Sequence, residues 1–183
     1  HLVANADIAD LGIYSMKLYS NANTTSNSTF SFEAGTTASA GDHILVARSI
    51  SALTAYMDYA VFDQSIESSF PNWNGDDSVE LLMAENLVET YGEVGTDGSG
   101  EAWEYLDSWA YKVDGVWTYG GVNCTDGSTT SETSDCPYPY MYEAASCSYS
   151  ITLTDSYGDS WNGNSVDVTV GGVIVHDDIT VGF

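Results

Sequence analysis

The stretch Val79-Glu80-Leu81-Leu82-Met83, followed after three residues by Leu87-Val88-Glu89-Thr90-Tyr91, decides the fold of this chain. Each run is short and rich in aliphatic side chains. Asn74-Gly75 precedes the first run, and Gly92 follows the second. Short apolar runs bounded by turn-forming residues are typical of β-strands. The stretch therefore predicts two consecutive strands.

Other runs upstream have the same character and are separated by Gly or Asn clusters. They are Ile13–Tyr19, Thr29–Phe32 and His43–Ala47. One segment differs, because Ile50, Leu53, Tyr56 and Met57 recur at helical spacing after Ser49, a residue type favoured at helix N-caps. Several short strands and one short helix predict an all-β protein of the sandwich type.

The C-terminal part alternates apolar and polar residues on both sides of an acidic, glycine-rich turn. The alternating runs are Ile151–Thr154 and Ser165–Val170. This pattern predicts a hairpin with one apolar face. Because two strands cannot bury such a face alone, we expect something else to cover it.

The charge of the chain is extremely one-sided. Its 27 acidic residues are balanced by only three cations, Lys17, Arg48 and Lys112, for a formal net charge of -24. Such a surface repels phosphate and offers no counterion release, which argues against nucleic acid and anionic membranes as partners. Aromatic residues make up 13% of the chain, so we expect it to fold. No apolar run is long enough to predict membrane insertion.

Three cysteines bear on the cellular compartment. Cys124 and Cys136 enclose a loop of Gly, Ser, Thr, Asp and Glu without a histidine. In a secreted or cell-surface protein this spacing favours a disulfide, two free thiols being the alternative. Cys147 is left over, and an interchain bond, a free thiol or a partner outside this sequence all stay open.

Oxygen-bearing side chains in the C-terminal turn predict a calcium site. Four of them fall within ten residues: Asp155, Asp159, Asn162 and Asn164. Carboxylate and amide oxygens are the ligands that Ca²⁺ prefers. The alternative is an acidic β-turn whose side chains bond their own backbone. Asp76 and Asp77 form a weaker second candidate, because they can also simply flank the turn before a strand.

Catalytic motifs are not recognisable. Gly158-Asp159-Ser160 lacks the downstream acid, base and scaffold of a serine hydrolase, and the histidines form no two-ligand zinc pattern. We therefore predict a protein that is not an enzyme and needs no cofactor beyond the calcium. Asn23, Asn27 and Asn123 begin N-glycosylation sequons and predict a glycoprotein, although hydroxyl-linked sugars on the same Ser- and Thr-rich run are as plausible.

Two longer motifs resemble a known family. They are Asn74–Leu81 and Asp97–Lys112, with supporting similarity at residues 6–15, 38–47 and 117–139. Over residues 2–139 the chain resembles the lamin-tail domain in the form found in secreted, multidomain microbial surface proteins. The resemblance implies an immunoglobulin-like β-sandwich that serves as an attachment or scaffold module. It also implies that Trp103, Trp109 and Trp117 are core residues, and that an extra edge strand precedes the segment matching Leu2–Ala4.

A second, shorter resemblance covers Asp155–Gly163, a motif frequent in secreted proteins and usually set in a longer β module. We therefore divide the chain into a lamin-tail-like sandwich (residues 1–119), a disulfide-pinned loop or linker (120–146) and a short C-terminal β module (147–183). Both ends look short of a complete sandwich.

These observations lead to a hypothesis of self-assembly. Each subunit donates Val173–Phe183 to a groove in its neighbour, which the missing first strand leaves open, and a head-to-tail extracellular filament results. The side chains expected to fill the groove are Val173, Val175, Ile179 and Val181. The alternative is a carbohydrate-binding or adhesion module from a larger secreted enzyme, with glycans as partners.

Overall fold

The computed structural model describes residues 1–142 and the strands Val166–Val170 and Val173–Ile179. It is mostly β-strand with one short helix, which confirms the predicted all-β, sandwich-like fold class. The chain divides into two compact units, His1–Glu143 and Ala144–Phe183. In the part of the chain described, no helix has both the length and the apolarity needed to span a bilayer.

Eleven strands, one α-helix and one 3₁₀ turn make up the described structure. The strands are β1 (Leu2–Val3), β2 (Tyr14–Tyr19), β3 (Ser28–Ser31), β4 (His43–Ala47), β5 (Gln64–Glu67), β6 (Ser78–Met83), β7 (Asn86–Tyr91), β8 (Ala110–Val113), β9 (Val116–Tyr119), β10 (Val166–Val170) and β11 (Val173–Ile179). The helix α1 spans Ile50–Tyr56, and the 3₁₀ turn spans Leu11–Ile13. The five strands predicted upstream of residue 92 are confirmed to within one residue at each end.

The smaller of the two large sheets has the order β1-β4-β5. β1 runs antiparallel to β4, whereas β5 runs parallel to it. A parallel pair needs a crossover connection, and α1 lies within it. The predicted helix start is confirmed, because the Ser49 side chain accepts a hydrogen bond from the Ala52 N–H.

The larger sheet is antiparallel throughout and has the order β3-β2-β6-β7. Its central strand β2 contributes Met16 and Leu18 to the main core, and β4 of the other sheet contributes Ile44 and Val46. The remaining buried members of this core are Ala4, Leu11, Phe32, Ala38 and Phe70. The core therefore joins side chains from both sheets.

A separate hairpin, β8–β9, was not predicted from the sequence. Its turn is Asp114-Gly115, and both residues have positive φ, 50° and 79°. Two successive positive φ angles are what a tight hairpin turn requires, and Asp-Gly is a preferred pair for it. Among the described residues these two strands pair only with each other.

The segment after β9 is fastened to the first unit. Cys124 and Cys136 form the predicted disulfide, with their Cα atoms 5.6 Å apart. Ser131, only 1% exposed, accepts a hydrogen bond from the Tyr59 hydroxyl at 2.7 Å and donates its N–H to the Tyr56 carbonyl. The division between the two compact units falls between residues 143 and 144, and the three-part division at residues 119 and 146 stays a prediction. Polar side chains of this loop bind the α1 region. The irregular sequence of the loop did not predict these contacts.

In the second unit β10 pairs antiparallel with β11. Val170 faces Val173 and Thr169 faces Ile174, and two register shifts then interrupt the ladder. The predicted partner of this strand, Ile151–Thr154, lies outside the described residues. The structure therefore shows a hairpin with the strand that follows β10.

Candidate acceptor groove

A groove of about 1370 Å³ opens in the first unit, lined by both large sheets and by the β8–β9 hairpin. Most of its lining is apolar. Small-molecule sites usually measure about 300–1,000 Å³, so the groove is larger than such a ligand needs. Its size suits a polypeptide segment better.

One wall of the groove is the face of the larger sheet that carries Val79, Leu81 and Val88. Val79 and Leu81 are only half-buried, and Val88 is 52% exposed. Inward-facing residues of a closed sandwich interdigitate with a facing layer. Val79 and Leu81 pack against the edge of the main core, whereas Val88 lacks such cover among the described residues.

The opposite wall is formed by β1, β4 and the region of α1. Leu2 and Ile44 line it from the sheet, and Leu53 and Met57 line it from the helix and its C-terminal end. Ile44 and Met57 are buried, whereas Leu2 and Leu53 are half-buried. This wall is therefore better packed than the face of β6 and β7.

Side chains, not backbone hydrogen bonds, hold the β8–β9 hairpin beside β7. The Trp117 ring meets the Tyr91 ring edge-on, with centroids 4.8 Å apart. The Lys112 ammonium lies 5.2 Å from the centre of the Trp117 ring and forms an ion pair with Glu89. Burial raises the pKa of the Tyr91 phenol above its usual value.

Several strands around the groove have a free edge within the described structure. β1 pairs only with β4, β7 only with β6, and β8 only with β9. An unpaired edge presents a row of N–H and C=O groups that a further strand can bind. The groove thus combines apolar walls with backbone partners, which are the two things that strand addition requires.

Charged side chains of both signs line the groove, because the carboxylates of Asp7 and Glu89 lie there beside two cations. Two of the three cationic side chains, Arg48 and Lys112, line it. Lys112 is already paired with Glu89, whereas the Arg48 guanidinium donates a hydrogen bond to the neutral Asn72 side chain. Within residues 1–142 Arg48 forms no ion pair, so it can accept an acidic partner.

The residues predicted from the sequence have different outcomes. The calcium candidates Asp155, Asp159, Asn162 and Asn164 lie outside the described residues, as does the proposed groove-filling residue Val181. Val173, Val175 and Ile179 lie on β11. The sequon residues Asn23, Asn27 and Asn123 are all exposed, although exposure does not test glycosylation.

The three tryptophans expected in the core are only partly buried. Trp103, Trp109 and Trp117 are all of intermediate exposure, and the last two line the groove. The Trp109 indole N–H donates to the Cys136 carbonyl at 2.7 Å, which ties the disulfide loop to the groove wall. The resemblance implied core positions for these tryptophans, and the sequence offered no signal for the groove that two of them line.

Comparisons with protein-family models, with curated proteins and with solved structures gave no match. The resemblance to the lamin-tail family and the immunoglobulin-like topology therefore stay predictions, and the groove has to be interpreted from its own geometry.

Proposed function

We propose that this protein is a non-enzymatic extracellular structural subunit that assembles head to tail by strand donation into the acceptor groove. The observation that carries the proposal is the apolar groove of about 1370 Å³ bordered by unpaired strand edges. A contact between two different surfaces that does not close on itself generates an open polymer. The product is a filament or fibril.

The proposed donor is β11 of a second copy. In a regular strand alternate residues share a face, so Val173, Val175 and Ile179 present apolar side chains to the groove together. Asp177 lies on the same face. A carboxylate that enters an apolar site needs a partner, and Arg48 at the groove supplies one. This charge match favours β11 over an unrelated apolar segment.

The pairing of β11 within its own chain supports exchange. Its ladder with β10 carries two register shifts, so part of its backbone lacks the regular antiparallel bonding. A longer, regular ladder in a neighbouring subunit can replace it. β11 already has the extended conformation that donation requires, which reduces the entropy lost on assembly.

The disulfide is compatible with an oxidising, extracellular setting. The charge of -24 adds a constraint, because copies of so acidic a chain repel one another. Assembly must overcome this repulsion through buried apolar area and local pairing. We therefore expect polymerisation to become more efficient as added salt screens the charge.

Electron microscopy and light scattering of the full chain test the proposal. We expect filaments from the wild type and none from Val175→Asp/Ile179→Asp, which places charge on the groove-facing side of β11. The matched control, His176→Asp, adds an acid on the other face and should still polymerise. Compact monomers of the wild type at high concentration, or filaments that tolerate the double substitution, would refute strand donation.

Charge reversal tests the docking register. Asp177→Arg should abolish polymerisation, because it places two cations together at Arg48. Adding Arg48→Asp in the same chain should restore filaments if the two residues meet across the subunit contact. If Asp177→Arg abolishes filaments and the second change does not restore them, the pairing is wrong even where strand donation itself holds.

A further inference from the structure

A second feature, independent of the groove, lies where β6 begins. Asp76, Asp77 and Ser78 follow one another and are 9%, 1% and 0% exposed. Two adjacent carboxylates are therefore almost completely removed from water. Burial of an ionised carboxylate costs several kcal/mol unless it is compensated.

Local backbone geometry forces the pair inward. Gly75, directly before it, has a φ of 111°, and a Cβ there would lie 2.4 Å from the Leu106 Cα. Only glycine fits so close an approach. The Tyr105 N–H donates to the Gly75 carbonyl at 2.7 Å, and the Tyr105 hydroxyl donates to the Asp77 carbonyl at 3.0 Å. The turn is thus clamped against the 103–106 segment.

Two surface loops converge on these carboxylates. From the first, the Asn21 N–H donates to Asp77 Oδ1 at 2.9 Å and its side-chain amide donates to Asp76 Oδ2 at 3.2 Å. From the second, the Ser99 hydroxyl donates to Asp76 Oδ2 at 3.1 Å. Asn21 holds a left-handed backbone with φ 54° to reach this position. Asn tolerates that conformation better than most residues.

Two buried oxygens at this position lack any hydrogen-bond partner among the described residues. They are Asp76 Oδ1 and Ser78 Oγ. Most buried polar side-chain atoms in native proteins are satisfied, so each exception requires an explanation. The Ser78 hydroxyl is neutral, so the missing hydrogen bonds are not explained by the two acidic side chains alone.

No cationic side chain compensates the pair. Lys17 pairs with Glu85, Lys112 pairs with Glu89, and Arg48 bonds Asn72. Neutral N–H and O–H groups of Asn21 and Ser99 are the hydrogen-bond donors to the pair, and Asp76 Oδ1 has no partner among the described residues. A cation at this oxygen would supply the missing positive charge.

We propose that Asp76 and Asp77 bind a calcium ion, with the Ser78 and Ser99 hydroxyls as neutral oxygen donors, while the N–H groups of Asn21 hold the two carboxylates in place. An all-oxygen donor set without sulfur or imidazole selects Ca²⁺ over zinc. In the described part of the chain no three His, Cys, Asp or Glu side chains form a metal-binding group, so neutral oxygens and water must complete the coordination. With two carboxylates we expect an affinity in the range of extracellular modules, about 10⁻⁴–10⁻³ M.

This site is distinct from the calcium candidate in the C-terminal turn and does not depend on strand donation. The ion would fix the two carboxylates to which the loops at Asn21 and Ser99 bond, and would so hold both loops at the start of β6. It would thereby stabilise the end of the larger sheet without an added disulfide.

Terbium luminescence tests the proposal, because Tb³⁺ occupies calcium sites and is excited through nearby aromatic rings. Tyr105 bonds the Asp77 carbonyl, and Trp103 packs where Gly98 meets Asp76. The full chain should carry Asp155→Asn/Asp159→Asn to remove the other candidate. We expect a saturable signal that Ca²⁺ displaces.

In that background Asp76→Asn should weaken Ca²⁺ binding by at least about tenfold, since even outer-shell changes commonly cost that much. Glu93→Gln, an exposed acid in the same loop region, is the matched control and should leave the affinity unchanged. Saturable binding that survives Asp76→Asn undiminished, or no saturable binding at millimolar Ca²⁺, would overturn the site.

A milder variant keeps the test decisive if Asp76→Asn fails to fold. Ser78→Ala removes only an oxygen that bonds nothing in the described structure. The protein should keep its far-UV circular dichroism and its melting temperature in chelator, while its Ca²⁺ affinity falls. An unchanged affinity in Ser78→Ala would show that the buried hydroxyl does not contact the ion, and the proposal would fail.

Discussion

β4 and β8 are short, similarly apolar strands that differ in how deeply their residues are buried. β4, His43–Ala47, lies between two neighbours, and four of its five residues are buried. β8, Ala110–Val113, has one neighbour, and none of its residues is fully buried. The difference is their position in the ladder rather than their composition. A closed core and an open groove therefore coexist within one unit.

The largest expected effect contrasts the two regions directly. Ile44→Ala on β4 removes a side chain that is 2% exposed and should lower the free energy of unfolding by about 2–5 kcal/mol. Val116→Ala on β9, where the side chain is 68% exposed, should change it by no more than about 0.5 kcal/mol. Urea denaturation of both variants measures the contrast. Equal losses would mean that the hairpin is packed as tightly as the core.

The disulfide should matter next, because it closes the loop from Cys124 to Cys136, which the Trp109 indole bonds to the groove wall. Cys124→Ser/Cys136→Ser opens a loop with a sequence separation of 12 and should cost about 2–4 kcal/mol. Reductant should destabilise the wild type by a similar amount and leave the double variant unchanged. A double variant that is as stable as the wild type would show that hydrogen bonds such as Trp109 to Cys136 suffice.

Adjacent leucines on β6 separate the two faces of one strand. Leu82 is 5% exposed, and Leu82→Ala should cost about 2–4 kcal/mol in the isolated subunit. Leu81 is half-buried and lines the groove, so Leu81→Ala should cost roughly 1–2 kcal/mol. On filament formation the order should reverse, with Leu81→Ala the more harmful change. Light scattering of the two variants, at equal concentrations of folded protein, measures which of them forms fewer filaments.

The smallest effect compares two hairpin turns. The β6–β7 turn holds Ala84 and Glu85 at φ 46° and 63°, whereas the β8–β9 turn uses Asp114-Gly115. A left-handed conformation costs a non-glycine residue about 1–2 kcal/mol. Ala84→Asn/Glu85→Gly should therefore raise the free energy of unfolding by about 1 kcal/mol. A loss of stability in thermal melts would instead indicate that these side chains make contacts worth more than the strain.

Local pattern was enough for elements that carry their own signal. The strands at β2, β3, β4, β6 and β7 and the Ser49-capped helix were predicted from apolar runs and a capping residue. The β8–β9 hairpin was not predicted, although Asp114-Gly115 is a pair that favours a tight hairpin turn. β1 has two residues and β5 contains one aliphatic side chain, Ile66, so neither carries a pattern that periodicity can detect.

The candidate sites, like the strands, were predictable from the sequence only in part. Asp76 and Asp77 were visible in the sequence as a weak calcium pair, but nothing local revealed their burial or the approach of Asn21 and Ser99. Those neighbours are 55 and 23 residues from Asp76. The groove is a property of three separate layers, and no single run of residues encodes it.

By itself the sequence determined the fold class, the acidic charge and most strand positions, and it favoured the disulfide, because these follow from composition, spacing and period. Only the tertiary structure decided which strands keep a free edge, where the core stops and which carboxylates lose their water. Those outcomes depend on contacts between residues far apart in the chain, where the free energy of packing and not local preference selects the arrangement.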